Sequence, residues 1–182
     1  FEANITGKPI RSGNFTWDMI LNMSANRNKI IELSPDINTA FIGGAFSRTA
    51  NVAVTVGGAY GDLYAYGWAK QDGNYLVDNQ GKPVRTADTK YVGNFNPKFN
   101  LGFGNTFSYG NWVASALVDG RFGGVVTSGT DANFAFDGTA DYTEAFRDGN
   151  MVLDAVQEDG SKNTAAINAE TFWTTVSGGL YS

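Results

Sequence analysis

Apolar and polar residues alternate with a period of two along several stretches of this chain, most clearly within residues 91–124. From Phe99 the odd positions are Phe99, Leu101, Phe103, Asn105, Phe107 and Tyr109, and the even ones are Asn100, Gly102, Gly104, Thr106 and Ser108. After Tyr109-Gly110-Asn111 the phase inverts. Trp112, Ala114, Ala116 and Val118 are apolar and Ser115, Asp119 and Arg121 stand between them, with Val113 and Leu117 as exceptions. Successive strand side chains point to opposite faces, so alternation over about ten residues marks a half-buried strand. The stretch predicts two antiparallel strands joined by a tight turn, with one aromatic face and one small or polar face.

The same pattern recurs upstream. Phe1, Ala3 and Ile5 alternate with Glu2, Asn4 and Thr6, and Pro9 is expected to end that strand before an Arg11-Ser12-Gly13-Asn14 turn. Phe15, Trp17, Met19, Leu21 and Met23 then share a face opposite Thr16, Asp18, Asn22 and Ser24, with Ile20 as the exception. A strand of about ten residues is long enough to cross a bilayer with tilt. It also suits a soluble β-sandwich, and alternation alone does not separate the two.

Residues 30–91 read as short strands at 51–56, 62–70 and 74–77, punctuated by Gly43-Gly44, Gly57-Gly58, Asp72-Gly73 and Asp78-Asn79-Gln80-Gly81. So long a segment should have structure of its own. Asp78-Asn79-Gln80-Gly81 lacks the acidic spacing and closing Glu of an EF-hand loop and is read as a plain turn. Residues 125–160 are acidic, with Phe134, Phe136, Tyr142 and Phe146 interleaved. They read as a solvated loop pinned by aromatics, the alternative being an aromatic–acidic ligand or calcium surface. Residues 168–176 suit a short helix capped by Asn168, without a capping box because Thr171 stands where Glu is wanted. The chain stops at Leu180-Tyr181-Ser182 without a closing strand.

Composition narrows the function classes. The 182 residues include no Cys and no His, which removes disulfides, thiol catalysis and the commonest general base and metal ligand. A net charge of -5 without a basic run argues against a nucleic-acid partner. Aromatics at 14%, 23 Gly and only 17% charged residues favour strands and turns over helices. No apolar run is long enough for a transmembrane helix, which leaves membrane β-strands open. The start at Phe1, without Met or signal peptide, is read as a processed product or a fragment. No residue spacing singles out an acid–base pair, so no enzyme activity, catalytic residue, cofactor or metal site is expected.

Several motifs resemble the C-terminal third of the SusC/RagA family of TonB-linked outer-membrane transporters. They are Gly93-Asn94-Phe95-Asn96-Pro97-Lys98-Phe99, Asn105-Thr106-Phe107-Ser108-Tyr109 and Asp119-Gly120-Arg121-Phe122-Gly123-Gly124. Upstream, Asn14-Phe15-Thr16-Trp17-Asp18 and Asn26-Arg27-Asn28-Lys29-Ile30 look similar too, as do residues 57–68 and 71–83. The resemblance implies an all-β fold: a fragment of an antiparallel transmembrane barrel of about 22 strands. It implies uptake of glycan or peptide fragments, energised by TonB through a region absent here, with a SusD-like lipoprotein as lid.

On that reading residues 1–182 form part of the barrel domain, with strands near 1–10, 14–26, 98–109 and 111–124. Short periplasmic turns alternate with long extracellular segments at 30–91 and 125–182. Phe15, Trp17, Met19, Leu21, Met23, Phe99, Leu101, Phe103, Phe107 and Trp112 would meet lipid. Asn100, Thr106, Ser108, Asp119 and Arg121 would face the lumen or a plug, although Asp119 and Arg121 are better read as pairing with neighbouring strands than as reaching a plug. The competing class is a secreted carbohydrate-binding β-sandwich, with Trp17, Trp68, Trp112 and Trp173 as sugar platforms.

Overall fold

The computed structural model describes residues 1–42 and 50–177, apart from the side chains of residues 145 and 146. The Gly43-Gly44 pair and the Leu180-Tyr181-Ser182 end lie outside the described residues. In chain order the strands are β1 (Glu2–Ser12), β2 (Phe15–Ser24), β3 (Thr39–Ile42), β4 (Asn51–Thr55), β5 (Asp62–Ala65), β6 (Lys70–Gln71), β7 (Asn74–Val77), β8 (Lys90–Asn94), β9 (Phe99–Tyr109), β10 (Trp112–Phe122), β11 (Asn150–Val152), β12 (Val156–Gln157) and β13 (Ala166–Asn168). Two short helices, α1 (Gly129–Phe136) and α2 (Ala169–Val176), and a 3-10 turn over Asp141–Phe146 complete the described chain. The fold is therefore dominated by β-structure.

The four long strands form one antiparallel sheet in the order β1-β2-β9-β10. Glycine at φ +56° opens each of its two tight turns, at Gly13 and Gly110, a conformation that other L-residues rarely adopt. The turns lie side by side, because the Gly110 N–H donates to the Asn14 carbonyl at 3.1 Å. Both long segments consequently leave from the opposite end of the sheet. Pro9 does not end β1, contrary to the expectation above. The register slips between Gly7 and Ile10, and a bulge on an outermost strand tolerates a residue that cannot donate to the ladder.

The segment between β2 and β9 builds a second antiparallel sheet, β3-β4-β5-β8. The single strand expected over 62–70 is interrupted. Asp62–Ala65 pairs with β4 and β8, whereas Lys70 belongs to the β6–β7 hairpin. That hairpin turns at Asp72 (φ +50°) and Gly73 (φ +85°), both left-handed, as a type I′ turn requires. A small apolar core of Ala50, Leu63 and Ala65, with Val52, Val92 and Val125 against it, sits between this sheet and the chain leaving β10.

Residues 125–160 are not a solvated loop. Ser128 Oγ accepts the Asp131 N–H at 3.1 Å and starts α1. Asn163, 1% exposed, bonds the Leu153 and Ala165 backbone in place of strand pairing. The acidic composition concealed this structure because local side-chain-to-backbone bonds, not apolar periodicity, organise it. Asn168 caps α2 as expected, its Oδ1 accepting the Thr171 N–H at 2.7 Å. β12 runs parallel to β7, Val156 beside Leu76 and Gln157 beside Val77. Trp68 packs edge-on to Phe172 at 6.3 Å. The two long segments thus fold together.

Candidate functional site

The register of the long sheet assigns every side chain to a face. Tyr109 lies between Phe15 and Trp112, Phe107 between Trp17 and Ala114, Phe103 between Leu21 and Val118, and Leu101 between Met23 and Gly120. Directly opposed strand residues share a face. Phe15, Trp17, Met19, Leu21, Met23, Phe99, Leu101, Phe103, Phe107 and Trp112 therefore lie together on one apolar face. Trp17 and Phe107 stack at 5.8 Å, and Phe99 and Phe122 at 4.6 Å. Tyr109, Trp112 and Val118 on this face remain 65%, 81% and 68% exposed.

The opposite face holds Asn100, Thr106, Ser108, Asp119 and Arg121. Asn100 pairs with Ser24 and Arg121, Thr106 with Asp18 and Ser115, and Ser108 with Thr16 and Val113. Asn100 Nδ2 donates to Ser24 Oγ at 3.1 Å, and the Thr106 and Ser115 hydroxyls are 3.1 Å apart. Lys8 pairs with Asp18 at 2.7 Å in solvent, an arrangement worth little in energy. Asp119 bends over the bare backbone of Gly102. The exceptions to alternation also meet: Ile20, Gly104 and Leu117 occupy one row.

Sequence reasoning did not single out the polar groups near the long-segment end, namely Asn4, Asn22, Asn26, Asn28 and Asn96. Asn4 and Asn22 read as polar strand positions and Asn26, Asn28 and Asn96 as parts of longer motifs, and nothing along the chain shows that they come to the same end of the sheet. Near this end Asp62, 7% exposed, anchors the second sheet. Its Oδ2 accepts the Ala59 N–H at 2.9 Å and its Oδ1 accepts Asn94 Nδ2 at 2.8 Å. Asn96 Nδ2 donates to the Tyr60 carbonyl at 2.7 Å, and Asn28 Oδ1 accepts the Tyr60 N–H at 2.6 Å. The Gly93–Phe99 motif is thus the clamp between the long sheet and the segment above it.

Farther out, Trp173 and Tyr142 pack at 5.4 Å beside Arg147 and Glu170. Partial burial, then the hydrogen bond to Asp131, push the Tyr142 phenol above its usual 10.0. Asp78 is used by its turn, its Oδ1 accepting the Gln80 and Lys82 N–H groups at 2.9 Å each.

No family model matches the chain. The chain is similar to the TonB-dependent receptor P3 of Formosa agariphila, at 28% identity over 181 residues. The alignment covers 85% of this chain and 18% of that receptor, so the chain spans less than a fifth of its relative's length. The chain is thus related to a TonB-dependent receptor, and its β-dominated fold agrees with that relation.

Proposed function

We propose that this chain is part of the wall of a TonB-dependent outer-membrane transporter of the SusC/RagA kind. Its long sheet spans the bilayer, with the apolar face toward lipid and the polar face toward the lumen. The single observation that carries this reading is the apolar face and its aromatic borders. At about 3.3 Å per residue, β9 runs about 33 Å, and a tilt of about 40° leaves about 25 Å of height, the apolar band of an outer-membrane barrel. One end of the band carries Phe15, Tyr109 and Trp112 and the other Phe99 and Phe122, in the positions of two interfacial girdles. Among the described residues, the outer edges of β1 and β10 pair with no strand. Eleven-residue edges placed in hydrocarbon require neighbouring strands to satisfy them, which a closed barrel of about 22 strands supplies.

On this reading residues 30–91 and 125–182 lie outside the cell. The transporter takes up glycan or peptide fragments with a SusD-like lipoprotein and engages TonB through a region beyond this chain. No bond is made or broken. A secreted sandwich module would need a second sheet over Trp112, Tyr109 and Val118, which are exposed. The test is uptake of radiolabelled glycan and peptide fragments by cells carrying the full-length protein. Uptake should stop when the protein's TonB-contacting segment is deleted or the proton gradient is collapsed. Uptake that persists in both conditions would sink the proposal.

A further inference from the structure

The two long segments meet at three places. Val156 and Gln157 of β12 lie beside Leu76 and Val77 of β7 in a parallel pair. Gly81, in the turn after β7, abuts the backbone of Ala165: a Cβ there would stand 2.7 Å from the Ala165 carbonyl oxygen. Phe172, in α2, packs edge-on to Trp68 at 6.3 Å. The contacts run along residues 67–86 on one side and 153–172 on the other.

Each side is slight by itself. β6 and β7 hold two and four residues and β12 holds two, and so short a pair of strands is marginal alone in water. The second side is fixed by Asn163, which is 1% exposed. Its N–H donates to the Ala155 carbonyl at 2.9 Å, its Nδ2 donates to the Leu153 carbonyl at 3.1 Å, and its Oδ1 accepts the Ala165 N–H at 3.0 Å. Asn163 thereby holds the Ala165 backbone where Gly81 meets it. On the first side, Trp68 Nε1 donates to the Leu76 carbonyl at 2.6 Å. The ring that meets Phe172 is thus tied to the strand that meets β12. Val77, in the middle of the join, is fully buried. Bonded groups therefore carry a change at one contact to the other two.

We propose that these contacts form a latch: the two long segments open and close as one cooperative unit, so an effector that grips either segment acts on both. The latch lies outside the long sheet and stands apart from the transporter reading. Its test is amide hydrogen exchange, followed by mass spectrometry, on the full-length protein in detergent. Gly81→Ala, in the first segment, should speed exchange about tenfold in residues 153–165 of the second, because the added Cβ meets backbone in a left-handed turn. Asn163→Ala, in the second segment, should speed exchange about tenfold in residues 69–84 of the first, through its lost buried hydrogen bonds. Residues 99–122 should exchange at the native rate in both variants. In the unsubstituted protein, sub-denaturing urea should bring the amides of both segments to one common opening. That arm needs no variant, so it decides even where a variant does not fold. Faster exchange confined to the substituted segment, an equal rise in the long sheet, native rates throughout a folded variant, or separate openings in urea overturns the latch.

Discussion

The indole Nε1 of Trp17 donates a hydrogen bond to Asn105 Oδ1 at 2.9 Å, across two neighbouring strands of the apolar face. Asn105 is the polar interruption in the odd series of β9, and Trp17 supplies its partner. On the proposed reading this face meets hydrocarbon, where an amide is costly unless it is bonded. Trp17→Phe should therefore destabilise the full-length protein by about 1–3 kcal/mol by orphaning Asn105. Trp17→Phe with Asn105→Leu should recover most of that loss. Urea unfolding in lipid vesicles, arranged as a double-mutant cycle, measures the coupling, and additive effects would refute it.

The two faces should differ sharply in tolerance to charge. Phe103→Arg, near the middle of the apolar band, should cost about 2–4 kcal/mol or abolish membrane assembly. Thr106→Arg, on the opposite face, should cost under about 1 kcal/mol, as expected of a solvated surface position. Folded protein recovered in outer membranes gives the comparison. Equal tolerance at both positions would contradict the assignment of faces.

Gly104 is held small by its neighbours. A Cβ built there would stand 2.7 Å from Ile20 Cγ2 and 3.8 Å from Leu117 Cδ1. Gly104→Val should destabilise by about 1–3 kcal/mol through overpacking. Adding Ile20→Ala should restore stability, as read by thermal unfolding of the reconstituted protein. No rescue would show that the row does not pack as described.

The clamp at Asp62 predicts local loosening. Asp62→Ala leaves Asn94 Nδ2 without its carboxylate and the Ala59 N–H unpaired, a loss of about 1–3 kcal/mol. Limited proteolysis on intact cells should then cut residues 50–65 faster, with barrel assembly unchanged. Cleavage at the native rate would show that the clamp is dispensable.

Asp159 gives an acid-side dependence. The Ser161 side chain, then its backbone N–H at 2.9 Å, hold the Asp159 carboxyl below its usual 3.8. A depressed folded-state value contributes stability that is present above the unfolded value and lost as pH falls through the folded one. The turn closed by Gly160 N–H to the Gln157 carbonyl at 2.9 Å should open below the usual carboxylate range. Asp159→Asn should weaken the turn at neutral pH and flatten its acid dependence. Hydrogen exchange at Gly160 across that range reads both effects.

The sequence by itself determined what is local. Period-two alternation from Phe99 to Tyr109 and from Phe15 to Met23 specifies two-faced strands, because successive strand side chains always point to opposite faces. Gly13 and Gly110 mark the tight turns, and Asn168 marks the start of α2, through short-range backbone chemistry. Tertiary structure alone decided what depends on distant pairing. Trp17 meets Asn105 across 88 residues, and no local pattern encodes that register. β12 joins β7 in parallel across 80 positions, Val156 beside Leu76, through pairs too short to show periodicity. Pro9 was misread because its effect depends on which strand edge it faces and on a bulge, both set by the partner strand. The asparagines scattered along the sequence gather on one face for the same reason: strand pairing, not spacing along the chain, puts Asn4 beside Asn22 and brings Asn100 to the same face two residues farther along.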